Sequence, residues 1–109
     1  MIPDGVVTWA EIDLDAIAHN VRAIKAFVGP GTEIIASVKA NAYGHGLLPI
    51  ARAALEAGAS RLAVHRIQVS VALRESGITA PILLMGHVPP SGVDLVLHNR
   101  ITPTLVDWE

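Results

Sequence analysis

Apolar positions along the chain follow two rhythms. From Val6 to Leu14 they change side at every residue, with Val6, Thr8, Ala10, Ile12 and Leu14 on one face and Val7, Trp9, Glu11 and Asp13 on the other. That is the period of a strand. Asp15 reads as an N-cap, and Ile17, Val21, Ile24 and Val28 then recur at helical spacing until Gly29-Pro30-Gly31 ends the helix. Ile34 to Val38 is short and almost wholly apolar, the pattern of a parallel strand buried on both faces. The alternation then repeats. Leu47 to Ala57 reads as a helix, with Pro49 tolerated in its first turn and Gly58 past its end. Leu62 to Val64 reads as a strand. Gln68 to Ser76 reads as a helix burying Val69, Ala72 and Leu73, ended by Gly77. Ile82 to Met85 is a further strand. Ser91 caps a helix carrying Val93, Val96 and Leu97, with Asn99 as its stop, and Ile101 to Leu105 is the last strand.

From Ile34 onward strand and helix alternate, which predicts a parallel sheet with right-handed crossovers. An open doubly wound sheet and a (β/α) barrel both satisfy the pattern. There is no internal repeat and no low-complexity linker. Val106-Asp107-Trp108-Glu109 reads as a strand end, an N-cap and the first residues of another helix. A complete (β/α)8 barrel needs roughly 250 residues. The expectation is a truncated barrel, with about half of its strands present and an N-terminal strand before them.

Composition narrows the functional classes. The chain has 109 residues, 51% hydrophobic and 17% charged, enough for a core and too apolar for disorder. A net charge of −2 with scattered basic residues gives no footprint for nucleic acid. No cysteine is present, so disulfides, thiolate metal sites and cysteine nucleophiles are excluded. Met1 to Gly5 lacks the basic start and apolar run of a signal peptide. The longest uncharged stretch, Ser76 to Val93, is broken by prolines and glycines and predicts no membrane span. The expected compartment is the cytoplasm. His19, His45, His65, His87 and His98 match no zinc spacing, so no metal is expected. Glu11, Asp13 and Asp15 read as solvated and capping carboxylates, and Trp9 and Trp108 as packing residues.

The candidate chemistry lies at Lys39. It ends an apolar strand, where active sites of α/β proteins gather and where a lone ammonium is costly to desolvate. A lysine so placed is suited to act as a nucleophilic amine of lowered pKa that forms an imine with a carbonyl compound. The following loop, Asn41 to Gly46, contains two glycines that permit close backbone approach, and it leads into a helix N-terminus that favours an anion such as phosphate. Tyr43 is the only tyrosine. Its hydroxyl can donate to such a phosphate, or its ring can simply plug the mouth of the sheet.

Val38-Lys39-Ala40-Asn41-Ala42-Tyr43-Gly44-His45-Gly46 resembles the cofactor-lysine signature of bacterial alanine racemases. The likeness extends to Trp9 to Ile17, to Ala51 to Val64, and to Ala72-Leu73-Arg74 through Pro81-Ile82-Leu83. It covers most of Thr8 to Gly86. The resemblance implies a barrel domain followed by a β-rich domain, in a homodimer that uses pyridoxal 5'-phosphate to interconvert L- and D-alanine and so supplies D-alanine for the cell wall. It implies that Lys39 carries the cofactor through a Schiff base and serves as one of two acid–base groups. It also implies that Tyr43 contacts the cofactor phosphate and that Met85 lines the cofactor pocket. His65 to Ser70 departs from the family, which usually carries an acidic segment there. The family's second base, a partner tyrosine, and its arginine near the pyridine nitrogen have no counterpart in this chain. The isolated chain is therefore expected to be inactive.

Three alternatives stand beside this reading. One is another amino-acid racemase of the same fold, acting on serine, lysine or a broad range. Another is a decarboxylase sharing the barrel, which usually does not continue Ala-Tyr-Gly-His-Gly. The third is a non-catalytic fragment that at most binds the cofactor and self-associates through its unpaired edges.

Overall fold

Each strand expected after Ile34 forms, and together they decide the topology. The computed structural model describes residues 1–108. Strands β1 (Ile35–Ser37), β2 (Arg61–Val64), β3 (Ile82–Leu84) and β4 (Thr102–Pro103) pair in parallel, in the order β1-β2-β3-β4. A doubly wound sheet reverses its strand order at a switch point. No reversal occurs among these four. Right-handed crossovers between successive neighbours place the connecting helices on one face, the arrangement of a (β/α) barrel sector. The helices are α1 (Leu14–Val28), α2 (Lys39–Tyr43), α3 (Leu47–Ala57), α4 (Ile67–Glu75) and α5 (Val93–His98), the last entered through a 3-10 turn at Pro90–Gly92.

Register and alternation divide each strand between two environments. Ala36, Leu62 and Ile82 lie side by side, as do Val64 and Leu84, and these residues pack beneath the helices. Leu73 of α4, Ile50 and Ala51 of α3, and Val96 of α5 complete the core. The alternate row, Ser37, Ala63, Leu83 and Thr102, faces the other way. Among the described residues no helix packs across that row as a whole, although Ala63 is buried and Tyr43 of α2 reaches Ser37, and the molecule is a slab with extents of 49 × 42 × 22 Å. Ile35, 47% exposed, lies on this open face, so β1 is not buried on both sides as its sequence suggests. A continuous apolar run marks a strand whose second face needs cover, and nothing among the described residues supplies it.

The N-terminal strand does not form. Val6 to Asp13 pairs with none of the four strands and stays exposed, held locally by Trp9 Nε1 donating to Glu11 Oε1 at 3.1 Å. Alternation alone cannot make a strand without a neighbour to satisfy its backbone. The first helix is capped by Asp13, whose Oδ1 accepts from Ala16 N at 3.1 Å, and not by Asp15, which lies in the first turn. Its stop is as read: Gly29 follows with φ 79°, and Lys25 Nζ closes the end by donating to Thr32 O at 2.6 Å.

The α3 boundaries agree with the spacing. In α4, Ala72 is exposed and Ser70 takes its place in the core, made tolerable by Oγ donating to Ile67 O at 2.8 Å. Ser91 lies inside the 3-10 turn and gives no side-chain cap, while Asn99 ends α5 by donating Nδ2 to Leu95 O at 2.9 Å. Leu97 is 70% exposed. It lines an apolar cleft of about 320 Å³ with Val93, Pro103, Leu105 and Val106 at the β4 edge. The helix start expected at the end of the chain is absent at Asp107 and Trp108, and Glu109 lies outside the described residues. Among the described residues no helix is long and apolar enough to cross a membrane.

Candidate active site at the strand carboxyl ends

Because all four strands run the same way, the residues that follow them emerge on one edge. Val38 N extends the β1 ladder to Ala63 O at 2.9 Å, and Lys39 comes next. His65 follows β2. Met85 follows β3, with its N donating to Val64 O at 2.8 Å, and Thr104 follows β4, with its N and Oγ1 reaching Leu84 O at 3.1 and 2.8 Å. Gly86 lets these ends close together: a Cβ there would collide with the His65 carbonyl oxygen.

The segment after Lys39 is not the glycine-enabled loop that the sequence suggests. Ala40, Asn41, Ala42 and Tyr43 all adopt positive φ, between 52° and 56°, before the first glycine is reached. α2 is thus one turn of left-handed helix. For L-residues this handedness costs roughly 1–2 kcal/mol each, less for Asn, so specific bonds must hold it. Ala42 N donates to Val38 O at 2.9 Å, and Gly44 N donates to both Ala40 O and Asn41 O at 3.1 Å. Gly46 N donates to Asn41 O at 3.0 Å. His45 Nδ1 lies 2.9 Å from Ala42 O, and since a carbonyl only accepts, Nδ1 carries the proton. Asn41 Oδ1 accepts from Leu47 N at 2.8 Å. The first N–H of α3, which the sequence reading offered to a phosphate, is therefore already taken. Ala42 is buried and anchors the turn in the core. Asn41 is the single sequence hint, being the residue of this set that tolerates αL best.

The chain has two lysines, and they differ. Lys25 is bound to carbonyls at the end of α1. Lys39 is half-buried and makes no hydrogen bond or ion pair among the described residues. It opens on a cleft of about 510 Å³ lined also by Ala40, Asn41, His65, Arg66 and Val69. Tyr43 is 58% exposed, and its Oη lies 3.1 Å from Ser37 Oγ. Met85 is half-buried at the next-but-one strand end and does not line the Lys39 cleft. Of the three expected site residues, the structure brings Lys39 and Tyr43 to one strand end and sets Met85 two strands away on the same edge. Ser37 was not singled out from sequence, and no signal marked it.

The opposite edge is built for stability. Glu33 accepts from Ser60 Oγ at 3.0 Å and from Arg61 Nε at 3.3 Å, and these bonds, then the Arg61 charge, hold its carboxyl below the ordinary value of 4.5. Arg74 donates to four carbonyls: Asn99, Ile78, Ala80 and Arg100. Burial first, and the Arg100 charge second, pull its pKa below the usual guanidinium range.

Comparison with known proteins places this geometry. Residues 12–109 match the family model described as alanine racemase, N-terminal domain. The chain is 52% identical over 101 residues to an alanine racemase from Desulforamulus reducens, covering 93% of this chain and 27% of that protein. It is 53% identical over 103 residues to one from Geobacillus kaustophilus, with the same coverage. The structure of alanine racemase from Bacillus anthracis with bound L-Ala-P superposes with a TM-score of 0.90 at 48% identity, over 95% of this chain and 27% of that one. The chain spans about a quarter of the length of the relatives it matches.

Proposed function

This chain belongs to the alanine racemase family, and from that premise we propose that it forms the cofactor-lysine sector of a barrel that racemises alanine. The observation that carries the reading is Lys39: a half-buried residue at a strand carboxyl end, lining a cleft, with no hydrogen-bond or ion-pair partner among the described residues. The chain present fits pyridoxal 5'-phosphate in part. A primary amine is available for the aldehyde, a hydroxyl pair stands at the same strand end for an anion, and the cleft volume lies in the range of small-molecule sites. When bound, the cofactor supplies an electron sink that makes the α-proton of an amino acid removable.

The roles proposed for this chain's own residues are those the family resemblance implies, and the position of Lys39 and Tyr43 at one strand end supports them. Lys39 Nζ would be the amine that holds the cofactor aldehyde, with loss of water, and when released would take or return a proton on one face of the substrate α-carbon. Tyr43 Oη donates to the phosphate end. Met85, outside the Lys39 cleft and beside Leu83 in alternation, would offer apolar contact only to a ring that reaches across the open face of the sheet. The family resemblance assigns the second base, the group near the pyridine nitrogen, a β-rich domain and a homodimeric partner to parts of a racemase outside the segment matched here. Cytoplasmic D-alanine supply is the biological setting this implies. The length covered in the relatives supports treating the chain as the N-terminal barrel portion.

Addition of pyridoxal phosphate should produce imine absorbance that Lys39→Ala abolishes. Borohydride trapping and peptide mapping should then place the label on Lys39. A label on Lys25, or no absorbance change, would refute the assignment. Alanine racemisation by this chain alone should stay at background, because one proton-transfer group is missing.

A further inference from the structure

We propose that Ser37 is a positioning residue for the Tyr43 hydroxyl, and that the two hydroxyls together present one outward O–H to a phosphate-type oxyanion. The inference rests on the assignment of Lys39 as the cofactor lysine. Ser37 is the last residue of β1 and lies on the open face of the sheet, since its neighbours Ala36 and Val38 take the core side. The left-handed turn brings Tyr43 back over that strand end, so that residues six apart meet at 3.1 Å. Without this contact an exposed phenol would sweep freely about its χ angles.

The proton count gives the pair its function. Two hydroxyls carry two protons, and one proton is used between them whichever oxygen donates. If Ser37 donates, the phenol proton of Tyr43 points away from the pair. If Tyr43 donates, the Ser37 proton does. Either way one O–H remains, on an oxygen that already accepts a hydrogen bond and is thereby a stronger donor. A group rich in acceptors and poor in protons is the complement, and the phosphate of the cofactor or free inorganic phosphate both qualify. Lys39 and Arg66 line a cleft at the same edge of the sheet, and neither Ser37 nor Tyr43 lines that cleft.

The test compares pyridoxal phosphate with pyridoxal, which lacks the phosphate, on the wild-type chain and on Ser37→Ala, Ser37→Thr and Tyr43→Phe, following imine absorbance. Ser37→Ala should weaken pyridoxal phosphate binding about three- to tenfold, the worth of one ordinary hydrogen bond. Pyridoxal binding should change less than about twofold by the same reasoning. Ser37→Thr should restore the wild-type ratio, and Tyr43→Phe should match or exceed the loss. Inorganic phosphate should compete with the cofactor in wild type and less well in Ser37→Ala. Equal loss for both aldehydes in Ser37→Ala, or no loss for either, would overturn the role of Ser37 while leaving Lys39 intact. Absence of imine with both aldehydes in wild type would instead remove Lys39 as the cofactor lysine, and this inference with it.

Discussion

Arg74 offers a sharp test of what holds the strand amino ends together. Its guanidinium bridges two loops, donating Nη1 to Ile78 O at 2.9 Å and Ala80 O at 2.7 Å before β3, Nε to Asn99 O at 2.8 Å, and Nη2 to Arg100 O at 3.1 Å before β4. Three of these bonds are part-buried and the fourth is exposed. Counting about 1 kcal/mol for each part-buried bond, and nothing for the exposed one because water replaces it, Arg74→Ala should cost about 3 kcal/mol. For a chain of 109 residues that is a fall of about 10–15 °C in Tm. Arg74→Lys keeps the charge but has one nitrogen and no fork, so it should recover less than half. Arg52→Ala is the control: its Nη2 makes a single exposed bond to Ser76 O at 3.1 Å, and its loss should cost less than about 1 kcal/mol. Urea and thermal unfolding followed by far-ultraviolet circular dichroism measure all four proteins. If Arg74→Ala cost no more than Arg52→Ala, or if Lys substituted fully, the bridging account would be wrong.

Two further outcomes are expected. Gly86→Ala places a methyl against the His65 carbonyl and should destabilise by about 2–3 kcal/mol in the same unfolding assay, while also lowering imine yield at Lys39; a neutral substitution would mean the strand ends are not packed as described. For Glu33, the folded-state pKa lies below the ordinary 4.5, so its contribution is complete above that value and is lost as pH falls through the lower one. The stability difference between wild type and Glu33→Gln should accordingly be flat at neutral pH, shrink in acid and fall with added salt. A difference that grew on acidification would reverse the sign argued here.

The sequence by itself determined the alternation of strands with α1, α3, α4 and α5, though not the turn α2, because apolar spacing and glycine stops are local properties. Leu47 to Ala57 with Gly58, the strand read as Ile82 to Met85 and formed over Ile82–Leu84, and Gly29 after Val28 are legible without any neighbour. It also marked Lys39, because an ammonium at the end of an apolar strand is out of place energetically. Tertiary structure decided what depends on partners distant in sequence. Strand order chose the barrel over the doubly wound sheet, since alternation is the same in both. Val6 to Asp13 found no backbone to pair with, so its alternation was never used. The left-handed turn at Ala40 to Tyr43 depends on carbonyls of Val38 and Asn41 and on burial of Ala42, and no local preference of alanine or tyrosine would suggest it. The contact between the Ser37 and Tyr43 hydroxyls has the same origin, since residues six apart meet only when the chain folds back on itself.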